Sequence, residues 1–207
     1  MTTVTKQIPA AEGRTGWPRE GVTGALGGLA FVVLILVGNT LYEEGGQRAL
    51  GTALEMLGFA AFACFLAYLA SVLPPRGWAR WLAVTGGVLM LAVKVGTVAA
   101  AVAADNVTLS GDVDEGLRAV GDAGFVLSWL PHGLFVLGVS VAALAAHTLP
   151  RPLAWAGAVI GAGLILAGAL PSAEFVLPFL LSLLWTIAVS VVLARREARG
   201  ADWTVEV

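Results

Sequence analysis

The chain has 207 residues, 58% of them hydrophobic and 13% charged, with 26 glycines outside the hydrophobic share and a mean hydropathy of +0.86. Globular domains carry about 25% charged residues. This composition therefore excludes a soluble domain, a disordered chain and a nucleic-acid binder with a basic face; Cys64, the sole cysteine, excludes a disulfide scaffold. An integral membrane protein remains, and the net charge of −2 carries no information about its partners.

Residues 1–20 are polar and read as a disordered cytoplasmic tail. Six apolar stretches follow, at 21–42, 50–73, 78–104, 121–149, 152–170 and 173–194, each close to the 20 residues needed to cross a bilayer core about 30 Å thick. The first is too long for a signal-peptide core and has no small-residue cleavage site behind it, so a retained helix is expected. Lipid offers the backbone no hydrogen bonds, and period-two alternation is absent, so the spans read as helices rather than barrel strands. The expected fold is an all-α polytopic bundle over 21–194, with a second cytoplasmic tail at 195–207. Links at 74–77, 150–152 and 171–172 carry prolines, as helix ends do. The short link at 74–77 joins the second and third helices as antiparallel neighbours and predicts that their outer ends remain close. In the loop at 105–120, Asp112 and Glu115 have capping-box spacing, which predicts a short surface helix over 113–120. Pro131 predicts a kink in the fourth span.

Orientation follows from the basic residues. With the N-terminus inside, Lys6, Arg14, Arg19, Arg76, Arg80, Arg151, Arg195, Arg196 and Arg199 are cytoplasmic, and only Arg48 and Arg118 are outside. Both termini are expected in the cytoplasm. Trp78, Trp81 and Trp155 fall at the inner boundary, where indoles anchor.

Ionisable groups in lipid are costly and mark function or buried pairing. Asn39, Glu55, Lys94, Asp122 and His132 come from four different spans and fall mostly in the outer half, which predicts a polar cavity open to the outside. Glu55 lies about 9 Å and Lys94 about 15 Å below the outer boundary at 1.5 Å per residue, so a Glu55–Lys94 charge pair is expected. Gly24 and Gly28, and Gly157 and Gly161, are spaced for close helix approach, either within the bundle or at a dimer face.

The string Glu43-Glu44-Gly45-Gly46-Gln47-Arg48 resembles the E-E-x-x-x-R motif of the CAAX-type and bacteriocin-processing intramembrane proteases. That resemblance would give Glu43, Glu44 and Arg48 a part in activating water for peptide hydrolysis. The family's later histidine motifs are not found around His132 or His147. As a whole, the Ala-, Gly-, Val- and Leu-rich helices with Arg-rich inner loops resemble small six-span bacterial integral membrane proteins of unknown function. This likeness implies a plasma (cell inner) membrane location. His132 and His147 share one helix, which suits no transmembrane haem, and no three ligands cluster for zinc. No cofactor, metal site or catalytic residue is expected.

The leading expectation is a non-enzymatic membrane protein whose outer-half cavity binds or passes a small solute or a proton, as in a transporter or channel. The alternative is a structural or accessory subunit packed against a membrane-protein partner or another copy of itself; a third is the protease-like enzyme. The lipid bilayer is the common partner, and no nucleic acid is expected.

Overall fold

The structure, a computed structural model, describes residues 18–43, 47–74, 77–106, 110–170 and 176–200. Seven helices follow one another: α1 (Pro18–Glu43), α2 (Arg48–Val72), α3 (Trp78–Asn106), α4 (Gly111–Leu127), α5 (Trp129–Ala146), α6 (Arg151–Ala169) and α7 (Val176–Ala198). Among the described residues there is no strand. Helices α4 and α5 together form one candidate span, Gly111–Ala146, so six segments are long and apolar enough to cross a membrane. Leu57, Val88, Val159, Leu166 and Leu184 are each more than half exposed on the bundle's exterior. Such a surface suits lipid and not water.

The break between α4 and α5 has a local cause. Pro131 has no N–H to give the Leu127 carbonyl, and its ring crowds the preceding turn. The interruption therefore falls at Ser128, three residues before the proline, where the hydroxyl donates to the Phe125 carbonyl at 2.6 Å. The Gly111–Ala146 segment has 36 residues, about 54 Å of helix at 1.5 Å per residue, so it overreaches a bilayer core of about 30 Å. The expected surface helix over 113–120 is thus the first part of a longer helix. It begins at Gly111 after Ser110, not at an Asp112 cap, and no side chain caps it. Helix α7 likewise runs past the expected end of its span to Ala198. The tail residues 1–17 and 201–207 lie outside the described residues.

Neighbours in the bundle follow small residues. Helix α1 packs on α2 and α7, α5 on α3 and α6, and α4 chiefly on α3. A Cβ placed on Gly27 would lie 2.6 Å from the Ala61 carbonyl oxygen, and one on Gly133 2.7 Å from that of Gly161. Backbones approach this closely only without side chains between them, which gains dispersion contacts in lipid. The four glycines singled out by spacing meet partners within the bundle: Gly24 meets Tyr68, Gly28 meets Phe65 and Ser190, Gly157 meets Ser140 and Trp185, and Gly161 meets Leu137. The helices expected to stay together, α2 and α3, touch only sparsely. Their link at 74–77 fixes one end and leaves the other free to diverge. A core of fully buried Phe62, Phe65 and Phe135 fills the bundle centre. The Phe62 ring lies 4.9 Å from that of Phe31 and 5.0 Å from that of Phe135, centroid to centroid. Gly21 of α1 and Glu197 of α7 meet at one end of the bundle; Tyr42, Arg48 and Asp105 mark the other.

Candidate functional site: a polar cavity at the Tyr42 end

Where α2 and α3 part, a cavity of about 370 Å³ opens. Its walls come from α1 (Asn39, Phe31), α2 (Glu55, Phe59), α3 (Lys94, Thr97), α4 (Arg118, Asp122), α5 (His132) and α7 (Phe179, Leu183). All five polar residues singled out within the spans line it. Asn39, Arg118 and Asp122 are exposed at its mouth, whereas Phe59, Met90, His132 and Leu183 are buried at its base. Below the base lies the Phe62–Phe65–Phe135 core, and along α7 the buried hydroxyls of Ser182, Thr186 and Ser190 continue away from the cavity wall.

Glu55 is placed by α1. Its Cγ lies 3.0 Å from where a Cβ of Gly38 would stand, so the absent side chain is what lets the carboxylate sit at the α1–α2 seam. Lys94 enters the same cavity from α3. The ammonium itself rests on aromatic faces: Nζ lies 3.8 Å from the Phe125 ring centroid and 5.9 Å from that of Phe179. Ring quadrupoles attract a cation most strongly where water is excluded. Thr97 turns its hydroxyl back to the Lys94 carbonyl at 2.8 Å, and its methyl meets Gly124 of α4.

His132 is 2% exposed. Its ring lies 6.2 Å from those of Phe135 and Phe179, and its Nε2 has no hydrogen-bond partner among the described residues. Trp129, stacked on Phe179 at 5.8 Å, also has an unpartnered Nε1. A buried donor or acceptor left unpaired costs about 1–3 kcal/mol. Two such groups beside one cavity therefore single out this region of the core.

The mouth is tied by Asp105, at the end of α3. It accepts a hydrogen bond from the Tyr42 hydroxyl at 2.7 Å and from Arg48 Nη1 at 2.8 Å, and pairs with Arg118 Nη2 at 3.4 Å. Arg118 also reaches Asp114, one turn back on α4, at 3.1 Å. One carboxylate, 11% exposed, thus joins α1, α2, α3 and α4 around the opening. In the sequence Asp105 follows the last apolar residue of its span and reads as loop. The signal available was the pair Arg48 and Arg118, the sole basic residues on their side, which needed a counter-charge. Phe179 had no signal, because one aromatic residue in an apolar helix follows no pattern.

Of the protease-like string, Arg48 is committed to Asp105 and lies 5.8 Å from the Tyr42 ring centroid. The Glu43 side chain and Glu44 lie outside the described residues. Compared with protein-family models, curated proteins and solved structures, the chain finds no match.

Proposed function

We propose that the chain is a plasma-membrane protein with both termini in the cytoplasm, whose cavity takes up a small solute from the outer side. The reading rests on one observation above the rest. Asn39, Glu55, Lys94, Asp122 and His132, distributed over four spans, line a single cavity of about 370 Å³, within the range of roughly 300–1,000 Å³ common for small-molecule sites. Bundles that pair polar groups merely to satisfy them do not need to leave such a volume between them. The glycine faces on which an accessory role would draw are occupied within the bundle, which favours the solute-binding role. The nine-to-two division of basic residues supports the orientation, with the Tyr42 end outside.

In that arrangement the apolar Phe62–Phe65–Phe135 core and the buried hydroxyls of Ser182, Thr186 and Ser190 on α7 lie toward the inner side, and passage through the membrane would need these packed residues to separate. The test is reconstitution of the purified chain in liposomes. Saturable uptake or proton flux, lost on Glu55→Gln, supports transport; no flux together with a co-purifying membrane protein supports the accessory role.

A further inference from the structure

We propose that the cavity binds a small carboxylate with an apolar body, its oxygens held by the Lys94 ammonium and His132 Nε2. This deepens the solute-binding reading and rests on it. An ammonium carries three N–H donors and no acceptor. Among the described residues Lys94 shows no hydrogen bond from its ammonium to an oxygen; its close contacts are the ring faces of Phe125 and Phe179. His132, 2% exposed, contributes a second nitrogen without a partner to the same lining.

The ammonium can only donate, and His132 can donate from Nε2 in its Nε2–H tautomer, so one acceptor group can satisfy both. A charged acceptor forms the shorter and stronger hydrogen bonds. The lining holds two basic side chains, Lys94 and Arg118, and two acidic ones, Glu55 and Asp122. An entering anion therefore meets no net negative wall, and Arg118 stands at the mouth it must pass. Behind the nitrogens the surface is Phe59, Met90 and Leu183, all buried. That surface excludes a compact hydrated ion such as phosphate and suits an apolar body.

The experiment uses the full chain in lipid nanodiscs and three probes of one shape: 3-phenylpropionate, 3-phenylpropanol and 3-phenylpropylamine. Titration calorimetry should find the carboxylate bound at least about tenfold more tightly than the alcohol or the amine. Lys94→Gln should remove that advantage, with a thermal unfolding midpoint close to that of the parent chain showing that the variant is folded; Lys94→Arg should keep it. Equal binding of alcohol or amine, or no effect of Lys94→Gln, overturns the carboxylate and leaves a solute cavity. If no probe binds, the carboxylate proposal falls. Modification of a Thr97→Cys, Cys64→Ala variant by a water-soluble thiosulfonate then decides the broader reading: reaction keeps a hydrated cavity, and no reaction removes that as well.

Discussion

Helix α2 meets its two chain neighbours in opposite ways. Toward α1 it is backbone against backbone: a Cβ on Gly51 would lie 2.7 Å from the Gly38 carbonyl oxygen and 2.9 Å from the Tyr42 nitrogen. Toward α3 it holds a flexible side chain near Gly87, the Leu66 methyls, and beyond that a cavity. The first seam is built from glycines that a membrane bundle uses for cohesion. The second has Glu55 on one side and Lys94 on the other, and the space between is the candidate site. Cohesion and function thus occupy different faces of one helix.

Substitutions can break this contrast. Gly51→Ala places a methyl against backbone that cannot yield, and should lower stability by about 1–3 kcal/mol. Gly87→Ala meets only the end of Leu66, which can turn away, and should cost less than about 1 kcal/mol. Thermal unfolding in detergent compares the two; equal losses would show that the α2–α3 seam is as tight as the other. Asp105→Asn loosens the tie among Tyr42, Arg48 and Arg118. Because both arginines are about half exposed, the loss should be on the order of 1 kcal/mol and shrink in high salt. A salt-independent loss would point to packing instead. The Glu55–Lys94 coupling should be the smallest effect. A double-mutant cycle with Glu55→Gln and Lys94→Met should give non-additivity of about 0.5 kcal/mol, as for polar contacts measured in membranes. Strict additivity would mean that the two charges do not act on each other.

The bundle and the lining were both legible for the same physical reason. Lipid penalises an open backbone and a lone charge heavily, so apolar length reveals spans, and Glu55, Lys94 and His132 stand out against them. A uniform rise along a helix then places such residues at similar depth. What stayed hidden depends on relations between helices. The link at 74–77 suggested that the outer ends of α2 and α3 remain close, but a short link restrains only the ends it joins. The effect of Pro131 was foreseen and its place was not, because proline acts on the turn before it, at Ser128. Asp105 read as loop because the apolar run stops there, whereas its role comes from Tyr42, Arg48 and Arg118 arriving from other helices.

The central claim is a hydrated cavity between α2 and α3, reached from the end of the bundle opposite Gly21 and Glu197. Single cysteines at Ala101, which lines the cavity, at Val88, which is exposed on the apolar exterior, and at Arg199, next to the C-terminal end of α7, test it in a Cys64→Ala background. Intact cells are treated with a charged, membrane-impermeant thiosulfonate. Modification of the cysteine at 101, with those at 88 and 199 unreactive until the cells are opened or the membrane is dissolved, is the predicted result. Protection of the cysteine at 101, or labelling of the one at 199 on intact cells, would contradict the account.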